Sequence, residues 1–375
     1  MAKIELPIST DYVKSWGVNE ALRELFQNML DREQTVINAQ SSWQYDDELK
    51  TLILSNKNTK LDKKSLLLGI STKQDSKTTI GQFGEGYKLA MLVLLREGYY
   101  IFIENDDELW IPTIEYSEMF ETKVLKVEIK PAQHSGSGNL SWNINIESEL
   151  WEEYHQYNLH LLDSYEKFET SRGELLLGEE QRGRVYVSGL FVTDLSDYKF
   201  QYGYNFKPAV LKLGRDRDAV SAFDVQCRAR DILTEFSRHD SAPIISMIRE
   251  SKADIEYMHT MTRNVKDDIA AQFIEAHPGK AIPVSDEAER QEAEQQYPEA
   301  AVVFVSSKER ECILESSKYQ EYQEDWEPPI EIPTPHGEVQ QFVNEFKTMF
   351  ENKTEFTQKF QENIFEKSKN WMWKE

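Results

Sequence analysis

In the first 150 residues the spacing of apolar positions predicts helices followed by strands. Apolar side chains recur every three or four positions between residues 19 and 39, which is typical of an amphipathic helix. A short buried strand is expected at 52–54, a brief helix at 60–68 and a second long helix at 87–96. Strand-like runs then follow at 99–104, 109–116, 124–129 and 140–146. This order predicts an α+β sandwich in which helices cover one face of a mixed, mostly antiparallel sheet.

Beyond residue 150 the pattern predicts further units of different kinds. A second α/β domain is expected at 151–277, with a strand–turn–strand at 183–192 and then a long helical stretch. Residues 278–323 alternate strand, helix, strand and helix, as in a small βαβα unit. Residues 324–335 are rich in proline and form a predicted linker. In a predicted C-terminal helix at 336–375, phenylalanines recur at helical intervals and either pack on the body or join two copies in a homodimer.

The composition is that of a globular and strongly acidic protein. Hydrophobic residues make up 39% of the 375 residues, which is enough for two or three domains with their own cores, and the formal net charge is -23. Direct binding to a nucleic-acid backbone needs clustered Lys and Arg, so this charge argues against it. The acidic surface either keeps the protein in solution or engages a basic protein partner.

Neither the cysteines nor the histidines form a pattern typical of metal or disulfide chemistry. The two cysteines, Cys227 and Cys312, lack metal-type spacing, and the seven histidines are scattered. No apolar run approaches the roughly 20 residues needed to span a bilayer, and the first residues do not resemble a signal peptide. We therefore expect a protein of the reducing cytoplasm, without zinc, disulfides or a transmembrane segment.

A glycine-rich stretch directly precedes the second long helix. Glycines at 81, 84 and 86 lie in the run Ile-Gly-Gln-Phe-Gly-Glu-Gly-Tyr-Lys, which ends at Lys88. Such residues let the backbone approach a polyanion, and the helix behind them would direct unpaired N–H groups and its positive dipole end at a phosphate. Many glycine-rich turns bind nothing, so the motif needs a second feature before it indicates a nucleotide site.

The first helix supplies that second feature on its polar side. Glu24, Asn28 and Asp31 are four and three residues apart, so they share one face of the helix. A carboxylate can take a proton from water, and an amide oxygen can bind hydrated Mg²⁺. Taken alone, a polar helix face is also what simple solvation would produce.

Together these segments resemble the GHKL, or Bergerat, ATP-binding fold of gyrase, MutL, histidine kinases and large heat-shock chaperones. The shared pattern is Glu-x-x-x-Asn-x-x-Asp on a first helix, a strand, Gly-x-Ser-x-Lys and then Gly-x-x-Gly-x-Gly-x-Lys. The resemblance implies that Glu24 is the general base that activates water, that Asn28 binds Mg²⁺ and that Asp31 contacts the nucleotide. It also implies an ATP lid at residues 69–80. The nucleotide-binding residues of the lid and of the phosphate loop would be Gly69, Ser71, Lys73, Gly81, Gly84, Gly86 and Lys88.

The chain departs from the family pattern where the adenine is bound. In the family an Asp-x-Gly-x-Gly motif ends the strand before the lid, and its Asp binds the adenine amino group. Here the run is Leu-Ser-Asn-Lys-Asn-Thr, with Ser55 at the position of the Asp and both glycines absent. A serine hydroxyl can accept a hydrogen bond from an amine, but it lacks the charge and reach of a carboxylate. Either Ser55, Asn56 or a water binds the base, or the preferred nucleotide is not ATP.

A cationic loop follows the predicted strand pair of the second domain. In chaperone and MutL-like members a second domain lends a cation to the γ-phosphate, and the run Leu-Lys-Leu-Gly-Arg-Asp-Arg-Asp at 211–218 has a similar position. The resemblance implies that Arg215 or Arg217 neutralises charge that develops during phosphoryl transfer, with Lys212 as a further candidate. The alternative is that these Asp and Arg residues form surface salt bridges.

The resemblance implies a slow, Mg-dependent ATPase whose nucleotide-driven closure acts on a partner protein. The alternative is a GHKL-fold binding module with little or no turnover, which would act as an effector through its acidic surface. The Gly-x-Val-Tyr-Val-x-Gly strand pair and the Arg-Asp-Arg loop also resemble the rIIA-type ATPases of bacteriophages, which would place the protein in the host cytoplasm. A histidine kinase is disfavoured because no helix with a phosphoacceptor His precedes the ATP domain. A DNA-topology enzyme is disfavoured because neither an active-site Tyr context nor a basic tract accompanies the fold.

Overall fold

A seven-stranded antiparallel sheet with helices on one face forms the first part of the protein. The computed structural model describes residues 2–67, 85–132, 138–211, 220–324 and 326. The strands are β1 (Ala2–Ser9), β2 (Ser41–Asp46), β3 (Thr51–Lys57), β4 (Ile101–Asn105), β5 (Glu108–Ser117), β6 (Thr122–Pro131) and β7 (Asn139–Asn145). They lie in the order β1-β6-β5-β4-β7-β3-β2, and every neighbouring pair is antiparallel. The two long helices of this part are α1 (Val18–Thr35) and α2 (Gly86–Arg96).

The sequence pattern predicts the inner strands of this sheet but misses its two edge strands. β1 and β2 each have one neighbour, so most of their side chains are exposed or half-buried and the apolar alternation is diluted. β1 also contains Pro7, which an edge strand tolerates. The predicted α+β sandwich, with helices on one face of a mostly antiparallel sheet, is confirmed.

The helices α1 and α2 pack against each other and against one face of the sheet. The alternation of β3 directs Leu52, Leu54 and Asn56 to this face, and all three are buried. Every residue of α2 from Tyr87 to Leu94 is buried. α2 is therefore a central core helix, and its N-terminal end lies inside the protein.

A third helix, α3 (Ser148–Tyr157), packs beside α1 through aromatic rings. Phe26 of α1 stacks on Tyr154 with 5.3 Å between ring centroids, and Trp151 stacks on Tyr45 of β2 at 5.6 Å. His160, just beyond α3, lies 4.9 Å from Phe26. Burial lowers the pKa of His160 to about 4, so this ring is neutral near pH 7 and behaves as part of the aromatic cluster.

A second, five-stranded sheet follows. Its strands are β8 (Lys167–Glu169), β9 (Gly173–Leu176), β10 (Arg184–Val187), β11 (Leu190–Asp194) and β12 (Gly203–Phe206). They lie in the order β11-β10-β12-β9-β8, with β10 parallel to β12 and the other pairs antiparallel. The predicted strand–turn–strand is confirmed. Ser188 and Gly189 join β10 to β11 with φ angles of 48° and 80°, as a tight two-residue hairpin requires.

The long helical stretch predicted after this sheet is divided into three helices. They are α4 (Ala222–His239), α5 (Ala242–Arg249) and α6 (Arg263–Ala276). α4 ends at His239, the next residue, Asp240, has an extended backbone, and Pro243 lies in the first turn of α5. Because the stretch is interrupted, its helices can pack on different parts of the core. Phe236 of α4, for example, contacts Phe168 of β8 with 5.1 Å between ring centroids.

The predicted βαβα unit is also confirmed. β13 (Ala281–Val284) pairs in parallel with β14 (Ala301–Phe304), and α7 (Glu287–Gln296) connects them. Two short helices, α8 (Ser307–Leu314) and α9 (Ser317–Glu324), complete this part. The C-terminal helix predicted at 336–375 and most of the predicted linker lie outside the described residues, and the domain boundaries stay predictions. Within the described ranges, no helix combines the length and apolarity needed to cross a membrane.

Candidate functional site

The polar face of α1 is larger and more buried than the sequence indicates. Glu24 and Asp31 are fully buried, and Asn28 is partly buried. Gln27, which the sequence pattern did not bring forward, is 2% exposed and lies on the same face, three residues after Glu24. The three-residue spacing from Glu24 is the sequence signal that could have identified Gln27. Simple solvation does not explain this face, because three of its four polar side chains are removed from solvent.

Glu24 lies directly against the first residue of α2. A Cβ atom placed on Gly86 would come within 2.0 Å of Oε2 of Glu24 and 3.1 Å of its Cδ. No side chain fits at position 86 unless the carboxylate moves. The structure therefore brings together two predicted site residues that are distant in sequence. Their meeting point is a helix N-terminus, whose first N–H groups have no partner within the helix and whose partial positive charge favours a carboxylate.

Lys88 is a buried cation at the same end of α2. Its side chain is 0% exposed, and its Nζ donates a hydrogen bond to the carbonyl of Leu67. Burial lowers the pKa of Lys88 to about 8, and the nearby Glu85 carboxylate offsets this only in part. Leu67 and Glu85 are the described residues on either side of the glycine-rich segment. The ammonium group thus lies near both of these flanking residues.

Replacing Lys88 by Met is expected to raise the unfolding free energy near neutral pH by about 1–2 kcal/mol. The folded-state pKa of about 8 is below the ordinary value of 10.5, so between these values the unfolded chain binds the proton more tightly. Wild-type stability should rise as the pH is raised through this interval, and the advantage of the variant should vanish above it. Urea unfolding at both ends of the interval measures the effect, with Lys57→Met at an exposed position as control. Equal stability of Lys88→Met and wild type at neutral pH would contradict this expectation.

The two residues considered for base recognition point to opposite faces of the sheet. The Oγ atoms of Ser55 and Ser141 of β7 lie 2.7 Å apart, on the face away from α1. Asn56 faces α1, is 1% exposed, and its Nδ2 donates to the carbonyl of Met29 at 2.9 Å. This bond fixes the orientation of the amide. Its Oδ1 is buried and has no hydrogen-bond partner among the described residues.

The amide of Asn28 leaves one atom for a metal ion. Its Nδ2 donates to the backbone carbonyl of Glu24 at 2.7 Å, so Oδ1 is the remaining ligand atom. In the part of the chain that the structure describes, no group of three or more His, Cys, Asp or Glu side chains is placed to bind a metal. The single amide oxygen of Asn28 suits Mg²⁺, because this ion keeps waters and phosphate oxygens as ligands and needs only one or two oxygens from the protein.

Several of the predicted site residues lie outside the described ranges. For the lid and phosphate loop these are Gly69, Ser71, Lys73, Gly81 and Gly84, and for the cationic loop they are Lys212, Arg215 and Arg217. The roles of these eight residues stay predictions. Gly86 and Lys88 are the described members of the glycine motif, and both lie in the first turn of α2.

Comparison with known proteins yields only distant structural similarity. No protein-family model and no curated protein sequence matches the chain. The ATPase region of Saccharomyces cerevisiae topoisomerase II aligns with a TM-score of 0.32 and 10% identity, covering 47% of this chain and 62% of that one. The same region bound to ICRF-187 (dexrazoxane) gives 0.32 and 10%, covering 47% and 63%. The ATPase and transducer domains of Balamuthia mandrillaris DNA topoisomerase II give 0.30 and 11%, covering 51% and 66%.

The chain spans less than two thirds of the length of each of these three structures. They are ATPase regions of type II topoisomerases, and at this level of similarity they support no conclusion about individual residues or activity. The resemblance to rIIA-type proteins receives no support from these comparisons.

Proposed function

We propose that this chain binds ATP beside the N-terminus of α2 and hydrolyses it slowly with Mg²⁺. The observation that carries the proposal is the contact between the Glu24 carboxylate and Gly86. It places an acid–base group against the helix end that follows the glycine-rich motif, where the sequence pattern predicts a phosphate. The GHKL pattern of the sequence supports the same assignment.

The residues present suit a magnesium–nucleotide complex. The carboxylate of Glu24 fills the space that a side chain at position 86 would occupy, so a phosphate would approach the N-terminus of α2 beside this carboxylate, attracted by the helix N–H groups and dipole. Lys88 supplies a buried ammonium group at the same place. Asn28 Oδ1 would hold Mg²⁺, which supplies charge neutralisation at the phosphates. The site therefore contains the groups that can bind a polyphosphate with its Mg²⁺: a carboxylate, an amide oxygen, a helix N-terminus and a lysine.

In this proposal Glu24 is the general base. Its carboxylate takes the proton of the attacking water. Lys88 stabilises negative charge on the phosphates. A bound polyanion would raise the pKa of Lys88 from about 8, so ATP binding at slightly alkaline pH is accompanied by proton uptake.

We assign base recognition to Asn56 and not to Ser55, which faces away from α1. The Nδ2 of Asn56 is committed to the Met29 carbonyl, so the group left for a ligand is an acceptor, Oδ1. An acceptor matches the exocyclic amine of adenine. It does not match the oxygen that guanine and hypoxanthine carry at the same ring position. The departure from the family motif is therefore compatible with ATP.

Titration of the protein with ATP, GTP and inosine triphosphate tests the proposal. We expect ATP to bind about tenfold more tightly than the other two, because the exocyclic carbonyl oxygen of guanine and hypoxanthine, in the place of the adenine amino group, would leave Oδ1 of Asn56 without a donor. Asn56→Ala should remove most of that preference, whereas Ser55→Ala, the matched control on the other face, should keep it. Failure of all three nucleotides to bind would refute the nucleotide site. Binding without preference would refute the role of Asn56 alone.

The proposal extends to a conformational role. Nucleotide binding would close the lid at 69–80, and Arg215 or Arg217 would then reach the γ-phosphate from the second domain. Closure of this kind would serve as a switch that acts on a partner protein. A binding module without turnover is the alternative, and measurement of phosphate release from ATP separates the two.

A further inference from the structure

A cavity of about 290 Å³ lies where α1 and α3 meet β11, apart from the proposed nucleotide site. Its wall includes Arg23 of α1, Tyr154 and Tyr157 of α3, and Phe191 of β11. None of these residues belongs to the GHKL pattern. The volume lies near the lower limit for small-molecule sites, so it suits a ligand of the size of a metabolite.

Two hydrogen-bond donors in this wall are buried without an acceptor among the described residues. Tyr154 is 3% exposed, and its hydroxyl has no hydrogen-bond partner in the part of the chain described. The Nε of Arg23 is also buried, and no described residue accepts from it. Both residues line the same cavity, and the Arg23 charge partly opposes the effect by which burial raises the pKa of Tyr154. Buried donors are rarely left unpaired, so the pair indicates a missing acceptor.

The other residues of the cavity wall restrict the kind of ligand that can carry this acceptor. Among the described lining residues, two carboxylates, Glu20 and Glu153, share the cavity with the guanidinium of Arg23. Oε2 of Glu20 accepts a hydrogen bond from the Gly17 N–H at 2.7 Å, which leaves its Oε1 for a ligand. A phosphate dianion would therefore meet more negative than positive charge. Phe191 and Tyr157 meet edge to face with 5.5 Å between ring centroids and give the cavity an apolar side. A ligand that fits has one carboxylate, one cationic group and an apolar part.

We propose that this cavity binds a free α-amino acid with an apolar side chain. The ligand carboxylate accepts hydrogen bonds from Nε of Arg23 and from the hydroxyl of Tyr154. The ligand ammonium group faces the carboxylates of Glu20 and Glu153, and its side chain contacts Phe191. Because the ligand touches α1, α3 and β11 together, it joins the first sheet region to the second. The site does not depend on nucleotide binding.

Calorimetric titration of the full chain with L-phenylalanine and L-leucine, without nucleotide, tests this site. Two partial analogues complete the set: 3-phenylpropionate carries the carboxylate alone, and phenethylamine carries the amine alone. We expect an amino acid to bind with a dissociation constant below about 1 mM, and each analogue to bind at least about tenfold more weakly. Inorganic phosphate should not compete. If neither amino acid binds at millimolar concentration, water satisfies the two donors and the proposal is wrong.

Variants of the two donors identify the cavity as the binding place. Tyr154→Phe keeps the ring and its stacking on Phe26, and Arg23→Gln keeps much of the aliphatic part. Each should weaken amino-acid binding by about tenfold or more, whereas the exposed Tyr116→Phe and Arg230→Gln should not. Without ligand, Tyr154→Phe should unfold at the same or a higher temperature, because it removes a buried hydroxyl to which no described residue is hydrogen-bonded. Unchanged binding in both donor variants, or a clear loss of stability in ligand-free Tyr154→Phe, would overturn the assignment.

Discussion

A Glu24→Gln variant is expected to release phosphate from ATP at least about 100-fold more slowly than the wild type while still binding the nucleotide. The amide has nearly the shape of the carboxylate, so it can keep its place against Gly86, but it cannot take a proton from water. Phosphate release with Mg²⁺, measured beside nucleotide affinity, separates the loss of chemistry from a loss of binding. Glu33→Gln, at an exposed position of the same helix, is the matched control and should leave the rate unchanged.

The result of this experiment also decides between the two functions considered. Equal, measurable rates in wild type and Glu24→Gln would show that Glu24 is not the base, and another group would have to activate the water. If both proteins bind ATP and neither releases phosphate above the buffer rate, the chain is a nucleotide-binding module and not an ATPase. A large decrease in the rate of phosphate release that is confined to Glu24→Gln would establish hydrolysis at this site.

Gly86→Ala is expected to destabilise the protein by about 1–3 kcal/mol and to abolish nucleotide-dependent activity. The new Cβ would come within 2.0 Å of Oε2 of Glu24, so the carboxylate or the start of α2 must move. The variant adds one methyl group and changes no charge. Urea unfolding measures the cost, and Gly17→Ala is the control, since its Cβ would be 3.5 Å from its nearest neighbour, an ordinary contact.

A double variant tests whether the Glu24–Gly86 contact is responsible. In a Glu24→Ala background the clashing carboxylate is absent, so adding Gly86→Ala should cost at most a few tenths of a kcal/mol. The coupling energy between positions 24 and 86 should then account for nearly all of the unfolding free energy that the Gly86→Ala variant loses in the wild-type background. The same loss in both backgrounds would mean that Gly86 is required for a reason other than the approach of Glu24.

The elements that could be predicted from sequence are those whose period is carried by many buried side chains. α1, α2 and the inner strands β3 to β7 are of this kind, because each buries at least one continuous face. The edge strands β1 and β2 were missed, since half-exposed strands carry a diluted alternation. The helical stretch after the second sheet was predicted as one element. Its division follows from local breaks at Asp240 and Pro243, whose effect depends on where each helix can pack.

Some properties of the candidate site could also be predicted from sequence, and others could not. The spacing of Glu24, Asn28 and Asp31 determined by itself that they share a helix face, since the helical period is a local property. Whether that face is solvated or buried was undecidable from spacing. The structure shows that it is buried against a second helix. Gln27 also lies on this face. Its burial, more than its residue type, identifies it as part of the candidate site.

The sequence by itself thus determined the order of the buried helices and inner strands of the first region, the α+β class and the polar face of α1, because each depends on residues near one another in the chain. Only the tertiary structure decided that the Glu24 carboxylate meets Gly86 at the N-terminus of α2. It also decided that Asn56, not Ser55, faces α1, because one residue of strand register reverses the side on which a side chain lies. Both results are contacts between segments far apart in the chain, and their pairing is set by packing of the helices on the sheet, not by local periodicity.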